Sequence, residues 1–338
     1  MPASCKGSYA PLMPNAIQVS EFGGPEVLQV VNIEVPSPGP GQVRVQVSAI
    51  GVNPVDTYIR SGQYAFRPQL PYTPGSDGAG VVESVGPGVT DRKIGERVYF
   101  IGSAAGPYAG AYAEMVLCQA DFVFALPDGL SFEQGAALGV PFATAFRALH
   151  DRAQAREGEL VLIHGATGGV GMAAVQLARI SRLRIIATGG TTAGRDLLRQ
   201  LGADFVLDHH HPEVVEQIRE ISDGKGVDVV LEMLANVNLQ KDLQLLAHGG
   251  RVVVIGSRGD IQITPRLMMG KESAVMGMAL WASGSGKVRS AHVEIERLLQ
   301  AGQLKPVVGR SFKLSQAPQA HQAVMEKGAM GKIVLIPG

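Results

Sequence analysis

The stretch from Glu159 to Ser181, ELVLIHGATGGVGMAAVQLARIS, constrains this chain more than any other. A short apolar run, 160–163, ends in a glycine-dense turn, Gly165-Ala-Thr-Gly-Gly-Val-Gly171, and an Ala-rich helical pattern follows at once. Strand, turn and helix in that order are what a dinucleotide site needs. Glycines let the backbone approach a pyrophosphate, and free N–H groups at the helix start hold its negative charge. A glycine motif alone is weak, and the strand before it and helix after it are the context that confirms it. Aligned as G-x-G-x-x-G, the motif starts at Ala166 and continues at Gly168 and Gly171. Alanine suits that tight turn only with a negative φ. An ordinary β–α turn in another α/β fold has similar needs, but the strand–helix alternation downstream favours the dinucleotide.

A chain of 338 residues, 46% of them hydrophobic, is long enough for two domains with substantial cores. Lys plus Arg equals Asp plus Glu, 30 each, which argues against a broad electrostatic grip on nucleic acid or anionic membrane. No apolar run approaches the roughly 20 residues of a membrane helix. The first residues, MPASCKGSYAPLMP, lack the apolar core of a secretory signal and read as a loose extension. The two cysteines, Cys5 and Cys118, form no framework, so a reducing cytoplasm is the expected compartment.

Residues 16–130 read as a barrel-like β region, with strands expected at 17–19, 27–31, 43–49, 81–85, 97–101 and 112–117. A helical stretch, 132–149, bridges to a strictly alternating region. Strands are expected there at 160–164, 183–188, 205–207, 227–231 and 251–255, with a sixth at 274–280. Helices separate them at 170–179, 193–201, 212–221 and 237–246. Such β-α-β units build a doubly wound parallel sheet, with ligand beyond the carboxyl ends of its strands. A last helix, 288–299, and strand, 332–336, are expected to return to the first domain. The expected division is 1–15 extension, 16–138 catalytic domain, 139–281 Rossmann domain and 282–338 return.

An NAD site carries Asp or Glu at the end of its second strand, bonding the ribose 2′-hydroxyl. Here that place reads Ala187-Thr-Gly-Gly-Thr-Thr192, with Arg195 close behind. The missing carboxylate removes repulsion toward a 2′-phosphate, so NADPH is the expected cofactor. Arg195 is either its phosphate ligand or a residue on a solvated helix face. His209-His-His211 offers no metal spacing, and His209 is placed near the adenosine end instead. Asn238 either caps a helix or reaches the cofactor. Ser257 and Arg258 follow the fifth strand, where the nicotinamide half or the phosphates pass.

A β domain preceding a late dinucleotide domain is the order of the medium-chain dehydrogenase/reductase superfamily. The segments EFGGPEVL (21–28), GVNPVDTYIRSGQY (51–64), PYTPGSDGAGVVESVG (71–86), HGATGGVG (164–171), EMLANVNL (232–239) and GGRVVVIGSRG (249–259) narrow it further. They closely resemble the zeta-crystallin family of NADPH:quinone oxidoreductases, from about residue 17 to the C-terminus. Extra length lies around 104–110. The resemblance implies an α/β architecture: a GroES-like β-barrel-type catalytic domain, a Rossmann domain, and the active cleft between them. It places cofactor contacts on Tyr58, Thr167, Gly168, Gly169, Val170, Gly190, His209, Asn238, Ile255, Gly256, Ser257, Arg258, Met278, Ala279 and Leu280. It also implies one-electron reduction of ortho- and para-quinones, a homotetramer, and by family habit a lens crystallin role or binding to AU-rich messenger RNA.

Zinc-dependent members of the superfamily place Cys and His ligands where this chain reads Gly51-Val-Asn53 and Gly75-Ser-Asp77. Neither a thiolate nor an imidazole stands there, so no metal is expected. Without a Lewis acid, an acceptor that takes electrons readily is the easier substrate, as quinones and conjugated enones do. Reduction then needs positioning and a donor near the substrate oxygen. Tyr58, Asn53 and Tyr64 are the catalytic candidates. Each has another reading: Asn53 as a turn residue before Pro54, Tyr64 as cleft lining, and nearby Asp56 as a helix cap. The competing activity is an enone or enoyl-thioester reductase in which Tyr64 donates a proton.

Overall fold

The computed structural model describes residues 13–102, 110–328 and 330–338. Cys5 and nearly all of the 104–110 insertion fall outside these residues. The first region holds β1 (Asn15–Gln18), β2 (Gln29–Asn32), β3 (Gln42–Val52), α1 (Pro54–Arg60), β4 (Asp77–Val85), β5 (Arg97–Ile101), β6 (Met115–Gln119) and β7 (Val123–Ala125). Two short helices, α2 (Phe132–Gly135) and α3 (Gly139–Phe146), lead out of it, and a π-helical turn, Arg147–Arg152, extends α3.

The second region alternates β8 (Leu160–Ile163), α4 (Gly169–Ile180), β9 (Arg184–Thr188), α5 (Thr192–Leu201), β10 (Phe205–Leu207), α6 (Val214–Ile221), β11 (Val227–Glu232), α7 (Ala235–Leu245) and β12 (Leu246–Val254). After it come α8 (Arg266–Met269), β13 (Ala274–Gly277), α9 (Ser285–Gln300), β14 (Val308–Lys313), α10 (Ala317–Ala323) and β15 (Lys332–Ile336).

The alternating strands form one parallel sheet in the order β10-β9-β8-β11-β12-β13. Its order reverses between β8 and β11, which opens a crevice beyond their carboxyl ends. β8 is buried along its whole length. Val161 and Ile163 face the core shared with α3, α4 and α9, whereas Leu160 and Leu162 face the core under α7. This two-sided burial is why the strand reads as an unbroken apolar run rather than an alternation. α5 shows why the helices stop where the sequence says. Thr191 accepts from Gly194 N–H at its start, and Gly202 takes φ +101° at its end.

A second large sheet runs β14-β15-β3-β4-β5-β7, with β6 also paired to β3, and β1 and β2 form a separate antiparallel pair. β15 pairs antiparallel with β3, so the last strand of the chain closes the first region. Several sequence expectations shift. The strand expected at 112–117 begins only at Met115, and Tyr112, fully buried, lies before it. The strand at 274–280 is only β13, and the helix at 132–149 is broken between α2 and α3. The strand at 27–31 starts after a 3₁₀ turn, Pro25–Val27, which its proline pre-sets. β7, β14 and α10 carry no clear periodic signal and were not anticipated. Among the described residues no helix is long and apolar enough to cross a membrane.

Candidate functional site

The glycine turn follows β8. Gly165 takes φ +53°, and no other residue of the turn has a positive φ, so Ala166 meets the condition its alanine imposes. Ala166 donates its N–H to Thr188 O at 2.9 Å, and Gly165 N–H reaches Thr188 Oγ1 at 3.2 Å. The end of β9 thus braces the turn. Gly168 caps α4 in extended conformation. A Cβ on Gly171 would lie 2.4 Å from Ala166 Cα, so only glycine lets α4 pack this close to the turn. The first-turn N–H groups of α4, from Gly169 and Val170 on, face outward without intrahelical acceptors. Such a turn can hold a pyrophosphate, and Thr167 is buried beside it.

At the end of β9, a Cβ on Gly190 would stand 3.0 Å from Nε2 of both His209 and His210. Burial, with His210 as the next contribution, lowers the His209 imidazole. Arg195 is neither a solvated helix residue nor an unpaired cation. Its guanidinium lies 2.8 Å from Asp208 Oδ2 and 3.2 Å from Gly189 O, with 18% of its side chain exposed. The sequence contains an acid near this end after all, delivered by β10 rather than β9.

Between β8 and β11, His164 Nε2 lies 2.9 Å from Asp242 Oδ1 and 3.7 Å from Glu232 Oε2. Burial pushes Glu232 up to about 7, with His164 opposing. Burial would lower the His164 imidazole, but the hydrogen bond to Asp242 and the charges of Asp242 and Glu232 outweigh it and raise it. The donor atoms of this trio lie within 4.8 Å of one another. Sequence reading found no metal spacing in His209–His211 and did not single out this trio. As it stands, it pins three elements at the point where the sheet order reverses.

Glu232 also organises the loops around it. Its Oε1 accepts from Leu234 N–H and from Asn238 Nδ2, the latter at 3.3 Å. Asn238 therefore sits inside α7 and is not its cap. Ile255 N–H donates to Glu232 O at 2.8 Å, and Gly256 must lack a side chain because a Cβ would meet Met233 O at 2.4 Å. Ser257 and Arg258 are exposed beyond it. Met278 N–H donates to Val254 O, which lays 278–280 beside the same crevice. Buried Arg147 holds that segment by donating to the carbonyls of Ala279 and Leu280 and to Ser283 Oγ.

On the facing side, Asn53 stands at the N-cap position of α1 and donates its N–H to Asp56 Oδ2 at 2.9 Å, so Asn53 begins the helix rather than a turn and Asp56, at N3, is the capping side chain. Tyr58, on the same helix, is half-buried, and its phenol makes no hydrogen bond among the described residues. Tyr64 lies beyond the helix, 36% exposed. Asn53 is 3% exposed and its amide is fully engaged: Nδ2 donates to Asp77 Oδ2 at 2.9 Å, and Oδ1 accepts from Lys332 Nζ at 2.5 Å. Lys332 also donates to Asp77 Oδ2 at 2.6 Å, and Asp77 Oδ1 accepts from Val140 N–H at 2.7 Å. Behind them, Asp56, Tyr112, His321 and Arg60 form a buried polar chain. Burial pushes Asp56 up to about 7 and His321 down to about 3.

The two sides touch. Gly331 N–H donates to Thr167 O at 2.9 Å, and Gly168 and Gly331 form a parallel bridge. The sequence missed Lys332, Arg147 and the His164–Glu232–Asp242 trio. Lys332 and Arg147 lie in segments legible only as strand and helix, and nothing local announces their long-range partners.

Comparison with known proteins agrees with this architecture. The model described as "Alcohol dehydrogenase GroES-like domain" matches residues 39–128, and that described as "Zinc-binding dehydrogenase" matches 169–295. A curated relative, "Quinone oxidoreductase" of Homo sapiens, is 46% identical over 95% of this chain and 97% of its own length. A solved structure of an NAD-dependent alcohol dehydrogenase superposes with TM-score 0.87 at 30% identity, covering 96% of this chain and 100% of that one. A mycobacterial protein complexed with NADPH superposes with TM-score 0.83 at 31% identity, with the same coverage.

The zinc in that model's description does not fit the residues present. The two stretches that hold ligands in zinc-dependent relatives are joined here by Lys332, whose ammonium stands between Asn53 and Asp77. A catalytic zinc needs three protein donors and an open position, and an ammonium in their midst supplies repulsion instead.

Proposed function

This chain is an oxidoreductase of the quinone oxidoreductase family, in the medium-chain dehydrogenase/reductase superfamily, and on that premise we propose that it reduces quinones with NADPH. The observation that carries the reading is the joined geometry of the cleft. The glycine turn meets β15 at Thr167 and Gly331, and α1 with Tyr58 hangs from the same network through Asn53. Thr167 to Val170 hold the pyrophosphate. Gly190, Arg195 and His209 surround the 2′-phosphate, with no carboxylate on β9 and with the Asp208 carboxylate paired to Arg195. Ile255 to Arg258 and Met278 to Leu280 flank the nicotinamide half, and Asn238 fixes the β11 loop. Tyr58 contacts cofactor and acceptor, Tyr64 lines the mouth, and Asn53 orients α1.

NADPH supplies two electrons. In the one-electron form of the reaction, NADPH and two quinones give NADP⁺, a proton and two semiquinone anions. The protein's part is to hold donor and acceptor together and to exclude water. β13 has a partner strand on one side only among the described residues, and this open edge supports assembly toward a homotetramer through pairing with a second copy of the chain. Binding of AU-rich messenger RNA rests on the resemblance alone, and competition with NADPH for the protein tests it.

Steady-state anaerobic oxidation of NADPH and of NADH with an ortho-quinone tests the function, with paramagnetic resonance reporting the semiquinone. NADPH-selective turnover with a radical signal is the expected result. NADH preference overturns the cofactor reading, and a silent spectrum during turnover overturns the electron count.

A further inference from the structure

His164, Glu232 and Asp242 converge from three elements: the residue after β8, the last residue of β11, and α7. His164 donates its backbone N–H to Leu231 O at 3.1 Å, which holds the first two side by side. Glu232 and Asp242 are both fully buried. Glu232 Oε2 and Asp242 Oδ2 have no hydrogen-bond partner among the described residues. A buried carboxylate oxygen left without a partner is costly. With a neutral imidazole the trio carries two negative charges, and a protonated imidazole balances only one of them. The neighbouring cation Lys241 is exposed and forms no salt bridge with either carboxylate among the described residues. The charge is completed either by a proton shared between the carboxyls or by a divalent cation.

We propose that the trio is a site for a divalent metal ion of the zinc class, bound through His164 Nε2, Glu232 Oε2 and an oxygen of Asp242. One imidazole and two carboxylates are donors that such an ion takes, and the two carboxylates neutralise it where it is buried. Tetrahedral donors around zinc stand roughly 3.3 Å apart. His164 Nε2 lies 2.9 Å from Asp242 Oδ1 and 3.7 Å from Glu232 Oε2, separations that bracket this spacing. Leu234 N–H and Asn238 Nδ2 hold the other Glu232 oxygen and so orient the carboxylate from behind. Three protein donors leave the fourth position to water, with access past His164, whose side chain is 14% exposed. The place is separate from that between Asn53 and Asp77, where Lys332 excludes a cation. The ion ties β8, β11 and α7 together directly before the glycine turn. Its role is structural and does not depend on which acceptor the protein reduces.

The test uses the full chain, stripped with a chelator and then titrated with Zn²⁺ by calorimetry and with Co²⁺ by visible absorption. Thermal melts with and without Zn²⁺ accompany it. Asp242→Asn and Glu232→Gln each remove one ligand charge while keeping the side chain's shape. The triple variant His209→Asn/His210→Asn/His211→Asn is the control, because an exposed histidine run binds zinc by itself. Wild type and control should bind one ion per chain, show the strong visible bands of four-coordinate cobalt, and melt higher with Zn²⁺. Asp242→Asn and Glu232→Gln should each weaken zinc binding about 100-fold or more and lose the rise in Tm. If one of them folds poorly, the other and the wild-type cobalt spectrum carry the test. No binding to wild type at millimolar Zn²⁺ means that the carboxyls share a proton only, and overturns the proposal. Binding kept in the Asp242 and Glu232 variants but lost in the triple variant assigns the ion to the histidine run and also overturns it.

Discussion

Gly331 donates its backbone N–H to the carbonyl of Thr167 at 2.9 Å. That bond joins the segment entering the last strand to the turn that follows the first strand of the parallel sheet. The next residue, Lys332, reaches Asn53 and Asp77 on the facing sheet. A chain terminus that returns to the opening domain therefore sets the distance between cofactor turn and α1.

Gly171→Ala brings a Cβ to 2.4 Å from Ala166 Cα and 2.7 Å from its carbonyl carbon. Both are backbone atoms, so α4 must move away from the turn. Stability should fall by about 1–3 kcal/mol, and NADPH affinity should fall at least tenfold, about 1.4 kcal/mol. Thermal melts with and without NADPH check this; a wild-type cofactor-induced rise in Tm would show that the close approach is not needed.

Arg195→Gln removes the guanidinium that lies 2.8 Å from Asp208 and leaves that carboxylate facing the phosphate site. The dissociation constant for NADPH should rise about tenfold or more, while that for NADH stays near wild type. Fluorescence titration of both cofactors decides it. Equal weakening of both would restrict Arg195 to bracing the β9–β10 loops.

Asp56→Asn should show a pH-dependent cost. Burial holds Asp56 up at about 7, above its unfolded value. The folded state then binds the extra proton, so this group's stabilisation is complete below pH about 4 and is lost as pH rises through about 7. Asparagine does not titrate. The stability deficit of the variant should therefore be largest at about pH 4 and shrink as pH rises to about 7, levelling off above that, in urea unfolding at each pH. His321, held down to about 3, imposes an opposite trend, but it is common to both proteins where their networks match. A deficit that grows with pH would contradict the assignment.

Arg147→Met strips the donors from the carbonyls of Ala279 and Leu280 inside a site where Arg147 is 1% exposed. The loss should be about 3 kcal/mol, read from urea unfolding. If 278–280 flanks the nicotinamide, KM for NADPH rises as well. Lost stability with unchanged KM would move the cofactor away from that segment.

The parallel sheet was legible because its central strands, β8 above all, are buried on both faces and its helices are bounded by caps such as Thr191 and Gly202. The glycine turn was legible because its backbone demands are local. The facing sheet was harder. Tyr112, which turns inward to Asp56 and His321, looks in sequence like any strand tyrosine. Arg195 was visible as a cation, but its partner Asp208 comes from a different strand. Asn53 was singled out for a polar role near the acceptor, yet both ends of its amide are bonded to Asp77 and Lys332. Lys332 itself lies far along the chain from both partners. Contacts of that kind depend on how sheets are assembled, and no local pattern encodes them.

The central claim is tested most directly by anaerobic oxidation of NADPH by the purified protein, with an ortho-quinone in one cuvette and a medium-chain trans-2-enoyl thioester in the other. The account predicts rapid oxidation with the quinone and little with the thioester. Fast thioester reduction with little quinone activity would contradict it, and would put Tyr64 at the centre of the chemistry.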